Sequence, residues 1–349
     1  MNDTPLVSVI LNTYNRADLL PCSVESVLVQ DYLNFEVIIV DDCSSDNTPE
    51  VVAHIVANHS DRVRSIRLEE NVGLAGARNV GIRAARGPLI AFQDDDDIWL
   101  PEKLSAQVKA LSRHPECGMC YGRALVATAD GVRTARVFGG SGRGRTGDCF
   151  ELMLRWHVIL GPALMVRLPL LHEVGLFDET LRTAEDTDLF LRLTVEYSAV
   201  YLDQPLVLVR EHGERKTRAE KSSGLRMRSY LSLYERLWDA LPAARESLRG
   251  LVALPLAGSR LAVAEFENGG VLDRQAINSV VDAHPDWFSH PEACWPLALA
   301  YAACGSARDA RAAAREAAKA PRSNWPKRLG MWLTYLWPRL GHSARSLLR

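Results

Sequence analysis

The sequence predicts an α/β protein: a doubly wound sheet built over the first two-thirds of the chain, followed by a helical appendage. Three observations predict it. Short β-branched runs alternate with helical patterns over the first hundred residues, acidic groups close two of those runs, and strand signals vanish after about residue 220. A chain of 349 residues also exceeds what one core usually fills, so two regions are expected: 1–220 and 221–349.

The first region divides into a Rossmann-like nucleotide-binding half, 1–100, and a second half, 101–220. Residues 7–11 and 36–40 are near-continuous apolar runs, as strands buried on both faces require. Between them Leu19, Leu20, Val24, Val27 and Leu28 recur at helical spacing. Strands at 63–68 and 88–92 follow, with the helical segment LAGARNVGIRAA between them. Such a sheet binds nucleotides at the carboxyl ends of its strands.

Pro101 suits the first turn of a helix reaching about Ser112, and strand-like material at 120–128 comes next. The segment GGSGRGRTG, 139–147, has the composition of a mobile surface loop. A strand at 163–166 and a helix beginning near Glu185, with Leu189, Phe190 and Leu193 facing the core, complete this region.

Beyond it, stretches such as GSARDARAAAREAAKA are helical in composition, with no fixed repeat period. The last 29 residues carry six Lys or Arg and no acid, with Trp325, Trp332, Tyr335 and Trp337 interleaved among apolar residues. That pattern suits an amphipathic segment on an anionic membrane surface, and equally a terminal helix packing its aromatics on the catalytic domain.

Composition excludes some roles. Hydrophobic content of 47%, charged content of 24% and a formal net charge of -2 give no electrostatic case for nucleic acid. The start MNDTPLVSVI lacks a leader pattern, and no apolar run of membrane-spanning length stands out, so the expectation is a cytoplasmic chain, with contact at the inner membrane face if the tail is amphipathic. Seven scattered cysteines fit reduced thiols. Cys117 and Cys120 form a CxxC with no further ligands at zinc-like sequence spacing, which reads as buried structural thiols.

The chemistry concentrates in IAFQDDDDIWLPEKL. Asp94, Asp95, Asp96 and Asp97, directly after a strand, repel one another unless donors or a cation offset their charge. Mg²⁺ or Mn²⁺ does so with one or two carboxylates and completes its shell with substrate phosphates. A solvated acidic turn is the alternative. A second pair, Asp41 and Asp42, ends the strand 36–40 and belongs at the same sheet edge beside the quartet, able to bond a base or ribose or to cap the next helix. The first strand ends in Asn12, Thr13, Tyr14, Asn15 and Arg16, where an aromatic flanked by polar groups can stack on a base. Gly73, Gly76 and Gly81 permit close backbone approach, with Arg78 and Asn79 nearby and Arg78 available as a cation for phosphate.

These strings in this order, VSVILNTYNR, VIIVDDCSSDNT, NVGLAGARNVGI, FQDDDDIWLPEKL and GLFDETLRTAEDTDLFLRL, resemble glycosyltransferase family 2 over about residues 5–215. The resemblance implies a GT-A-type mixed sheet with a nucleotide-binding half and an acceptor half, and inverting transfer from a nucleotide-diphosphate sugar with Mg²⁺ or Mn²⁺. It implies that Tyr14 stacks on the base, that Asp42 hydrogen-bonds it, and that Asp94 and Asp96 are the outer members of a DXD motif, with Asp96 the metal ligand. Four consecutive aspartates leave the register open by one residue, so Asp95 can replace Asp94 at the ribose or metal. The matching catalytic base is Asp186 of AEDTD. His212, in LVLVREHGERKTR, matches a histidine that reaches the metal or diphosphate, although Arg215 or Lys216 can serve the phosphates instead. Glycan assembly on a sugar, lipid-linked or protein acceptor is the implied setting. Two rivals stand beside it: a nucleotidyltransferase, in which the AEDTD base has no task, and a non-catalytic scaffold of glycan assembly.

Overall fold

The structure, a computed structural model, describes residues 4–128, 133–138, 144–211 and 224–320. The chain forms two compact units, residues 1–215 and 216–349. In chain order the first contains β1 (Val7–Thr13), α1 (Leu20–Leu28), β2 (Phe35–Asp41), α2 (Thr48–Asn58), β3 (Val63–Arg67), α3 (Gly73–Ala84) and β4 (Leu89–Asp94). Then come β5 (Ile98–Trp99), α4 (Lys103–Arg113), β6 (Met119–Thr128), β7 (Arg133–Phe138), α5 (Phe150–Trp156), β8 (Leu164–Arg167), α6 (Leu168–Glu173), α7 (Glu185–Glu196) and β9 (Ala199–Glu211).

One nine-stranded sheet runs β3-β2-β1-β4-β8-β6-β9-β5, with β7 added to β6. The strands β3, β2, β1 and β4 are parallel, as the βαβ pattern requires. The second half makes the sheet mixed: β8 is antiparallel to both β4 and β6, β9 is parallel to β6, and β5 is antiparallel to β9. The expected edge thus forms, with one refinement. Asp41 and the quartet share it, but β1 lies between them, Thr13 opposite Asp41 and Asn12 opposite Asp94.

Alternation along β1 explains why both faces are apolar. Val7, Val9 and Leu11 join Leu20, Val24 and Val27 in one core, whereas Ile10 points to the other face against Gly81 of α3. Each such fully buried aliphatic side chain contributes about 1.5–3 kcal/mol. Lys103, the first residue of α4, is also fully buried; its Nζ sits 3.8 Å from the Trp99 ring centroid and donates to Gln107 Oε1 at 2.7 Å. Burial pushes that ammonium down to about 7.

The glycine-rich loop is partly tied down. Residues 139–143 lie outside the described residues, but Gly147 exchanges hydrogen bonds of 2.8 and 2.9 Å with Ala199, and Tyr121 Oη donates to the Arg145 carbonyl at 3.2 Å. Gly144 is packed so closely on Tyr201 that a Cβ would meet the ring at 2.1 Å.

The second unit is helical over its described residues, with helices Leu225–Ala240, Arg249–Glu267, Arg274–Ala283, Cys294–Ala303 and Ala307–Ala317. Leu261, Ile277 and Ala300 sit in its main core, and Asp273 caps a helix by accepting from Ala276 N at 2.8 Å. The segment Ala243–Glu267 corrects one expectation: by length and composition it could cross a bilayer. Its apolar window is 61% buried, the pattern of a core helix. The basic tail, 321–349, lies outside the described residues.

All seven cysteines are free, and Cys117 and Cys120 are buried. Here too the sequence reading needs adding to. The side chains of His114 and Glu116 come within 4.8 Å of Cys117, a neighbourhood that CxxC spacing did not disclose.

Candidate active site

The carboxyl ends of β1, β2 and β4 form the floor. Asn12 is 7% exposed and its Nδ2 donates to the Leu74 carbonyl at 3.4 Å, so β1 is pinned to the start of α3. Tyr14 projects beyond that floor with 43% of its surface exposed, as a platform for a flat ring must. Asn15 joins two loops. Its backbone is left-handed, at φ 52°, and its Oδ1 accepts from Ser45 N at 2.8 Å, while its own N–H donates to Ser44 Oγ at 2.9 Å. Arg16 N donates to Thr48 Oγ1 at 2.9 Å. Asn15 therefore stitches the loop after β1 to the loop after β2.

Asp42 is engaged as well. Its Oδ1 and Oδ2 accept from the backbone N–H groups of Val72 and Gly73, at 2.8 and 3.0 Å, satisfying orphan donors at the start of α3. Asp41 is buried and accepts from Ser44 N at 2.9 Å.

At the end of β4, carboxylate oxygens of Asp94, Asp96 and Asp97 lie within 4.8 Å of one another. Asp95 turns aside toward Thr13; burial first, then repulsion from Asp96, pushes its carboxyl up to about 7. The enclosed setting also raises Asp94, which Arg78 partly offsets. Three oxygens so grouped are the hard donor set a divalent cation takes. The structure assembles this trio from Asp97 rather than Asp95.

Arg78, expected beside a phosphate, is 3% exposed and turned inward. Its Nη2 donates to Asp94 Oδ1 at 2.9 Å, its Nη1 donates to Asp186 Oδ1, and Glu185 Oε1 is 3.7 Å away. The Phe177 ring lies 5.2 Å from the guanidinium, with Phe92 edge-on behind it at 5.5 Å. Asp186 opens α7 just after Ala184, a non-glycine residue at φ 67°. Arg78 thus joins Asp94 to Asp186, and Asp186 lies 108 residues beyond Arg78 in the sequence.

Two residues absent from the sequence reading support this arrangement. Arg210 is buried near the end of β9, where its N–H donates to Asp97 Oδ1 at 3.2 Å and its Nε to the Asp96 carbonyl. Gly161 faces Asp186: a Cβ there would lie 3.3 Å from Asp186 Oδ2 and 3.8 Å from Arg78 Nη2. A cation closing the apolar run LVLVR was a signal for Arg210; nothing local marks Gly161. His212, Arg215 and Lys216 lie outside the described residues.

Comparison with known proteins gives the family. The model of glycosyl transferase family 2 matches residues 8–164. WcaA of Escherichia coli K12, named for colanic acid biosynthesis, is 30% identical over 253 residues, covering 70% of this chain and 85% of WcaA. The chain belongs to glycosyl transferase family 2. Among family 2 relatives, EpsE of Bacillus subtilis is 39% identical over 137 residues, and the match spans about half of its length, 49%, and 39% of this chain.

In fold, this family 2 chain is similar to Staphylococcus aureus TarS 1-349 in complex with UDP-GlcNAc, with a TM-score of 0.65 at 19% identity over 89% of this chain and 91% of that one. It is also similar to the mannosyltransferase PcManGT of Pyrobaculum calidifontis, in complex with GDP-Man and Mn²⁺, with a TM-score of 0.54 at 20% identity over 89% and 86% of the two chains. These likenesses establish a GT-A fold.

Proposed function

We propose that the chain is an inverting glycosyltransferase that moves a sugar from a nucleotide-diphosphate donor, with Mg²⁺ or Mn²⁺, onto an acceptor in surface polysaccharide or glycoconjugate synthesis. The observation that carries this reading is the grouping of Asp94, Asp96 and Asp97 oxygens within 4.8 Å at a sheet edge, with Asp186 brought to the same place through Arg78. The names of family 2 relatives support the polysaccharide setting, and the UDP-GlcNAc and GDP-Man with Mn²⁺ in the structural neighbours support the donor class.

Tyr14 stacks on the base, and Asp42 accepts a hydrogen bond from it. Asp94 and Asp96 hold the cation, which when bound stabilises the charge of the departing diphosphate. Asp95 bears on Thr13 and the ribose side. Asp186 takes the proton of the acceptor hydroxyl as that oxygen attacks the anomeric carbon and the carbon–oxygen bond to the diphosphate breaks. Such a displacement inverts the anomeric centre. We place the protein in the cytoplasm, where nucleotide-sugars are made, with residues 1–220 as catalytic domain, 221–349 as the helical region and 321–349 as a candidate contact for the inner membrane face.

The test is a thermal-shift and calorimetric panel of UDP- and GDP-sugars with Mn²⁺, followed by transfer assays with and without EDTA. A cation-dependent shift by one donor class is expected. Full activity in EDTA would refute the role of the quartet, and no binding of any nucleotide-diphosphate would favour a scaffold.

A further inference from the structure

We infer that Arg78 is a positioning residue: by holding Oδ1 of Asp186 while it holds Asp94, it presents Asp186 Oδ2 to the acceptor at a fixed distance from the donor site. The inference rests on the glycosyltransferase reading above and adds a residue through which the base is aimed.

A guanidinium is a rigid planar fork, so two of its nitrogens bonded to two acids set the separation of those acids by its own width. Nη2 reaches Asp94 at 2.9 Å and Nη1 takes Asp186. The fork itself cannot drift, because Phe177 covers it at 5.2 Å and Asn79, the next residue on α3, grips the Phe177 backbone on both its N–H and its carbonyl. Asp94 ends β4 and Asp186 begins α7, so this bond ties the strand that carries the donor acids to the helix that carries the base.

The consequence for Asp186 is asymmetry. Oδ1 is committed to Arg78, and Oδ2 has no hydrogen bond among the described residues. Oδ2 lies over Gly161, where even a methyl group would come within 3.3 Å. An acceptor hydroxyl gives its proton to Oδ2, its oxygen bonds to the anomeric carbon, and the nucleoside diphosphate leaves with the electron pair. Arg78 keeps Oδ1 throughout, so the carboxyl cannot swing away as it becomes neutral. A lysine at this position carries the charge, but its single nitrogen lacks the planar fork that fixes the separation of the two acids.

Arg78→Lys and Arg78→Ala test this in the full chain, with UDP-GlcNAc and GDP-mannose as probes and Mn²⁺ present. Calorimetry reads donor affinity, and release of nucleoside diphosphate reads turnover. A positioning role lowers kcat about 100-fold, since misplacing a catalytic group by an ångström costs that much, and by far more than any loss of donor affinity transmitted through Asp94. Guanidinium ion added to Arg78→Ala restores turnover roughly tenfold or more, and urea at the same concentration does not, since only the cation can rebuild the fork. If Arg78→Ala does not fold, Arg78→Lys decides alone. Affinity lost in step with turnover would make Arg78 a donor ligand, and an unchanged kcat in Arg78→Lys would remove its role; either overturns the inference. Failure of the unaltered chain to bind any nucleotide-sugar removes the parent reading as well, and is distinguished by appearing before any substitution.

Discussion

Asn79 and Phe177 bond to each other twice: Asn79 Nδ2 donates to the Phe177 carbonyl at 2.8 Å and Phe177 N–H donates to Asn79 Oδ1 at 2.9 Å, across 98 residues of sequence. A side-chain amide here imitates a strand partner for a lone loop residue. Both groups are buried, and Nδ2 also reaches Glu179 Oε1 at 2.8 Å. Asn79→Ala leaves the Phe177 N–H and carbonyl unsatisfied, at a cost of about 2–4 kcal/mol. The first thermal transition of the full chain is expected to move down by several degrees, and turnover to fall beyond what the lost stability explains, because Phe177 also covers Arg78.

The acidic trio gives the second prediction. Asp96→Asn removes the negative charge of one of the three grouped carboxylates without opening a cavity. Calorimetry with Mn²⁺ is expected to show at least about tenfold weaker nucleotide-sugar binding, with binding in EDTA unchanged. Equal losses in both conditions would mean that Asp96 touches the nucleotide and not a cation.

Stability should depend on pH through Asp95. Its carboxyl is pushed up to about 7 in the folded chain, chiefly by burial, against about 4 when unfolded. Between those values the folded chain holds a proton that the unfolded chain has lost, so the stability this group contributes is fully present below pH about 4 and is lost as pH rises through about 7. Thermal melts in EDTA are expected to fall over that range, and Asp95→Asn to flatten the fall. Mn²⁺ is expected to lessen it by offsetting the repulsion from Asp96.

Gly81→Ala sets two effects of known size against each other. Alanine in a helix is favoured over glycine by about 1 kcal/mol. A Cβ at Gly81 would meet Ile10 Cγ2 at 2.4 Å and Val40 Cγ2 at 3.4 Å, inside the joint between α3 and the sheet, and overpacking of that kind costs about 1–3 kcal/mol. Net destabilisation is expected, read as a lower melting midpoint. Stabilisation would mean that α3 can slide on the sheet.

The strands that bear Asp41 and Asp94 are legible because they are apolar on both faces, and the acidic run because four charges directly after a strand stand out, whereas Asp186 is marked only by the family resemblance. What the sequence did not carry depended on direction. Arg78 reads as a phosphate cation in NVGLAGARNVGI, yet the turn of α3 points it into the protein at Asp94 and Asp186. Asn15 reads as a ligand in TYNR, but its left-handed backbone, at φ 52°, sends the side chain to Ser45. Strand β5 is two residues long and exists only because β9 arrives to pair with it, which no local pattern encodes.

That late pairing has a consequence for synthesis. Asp97 and the carbonyl of Asp96 are held by Arg210, and Ile98 and Trp99 pair with Leu208 and Val207. More than a hundred residues separate the acids from the strand that backs them. A nascent chain can wind β1 to β4 as soon as they leave the ribosome, but the acidic turn stays loose until β9 slots between β6 and β5. A chain truncated before Arg210 would carry every acid of the quartet without the bonds that hold Asp97 and the Asp96 carbonyl in place.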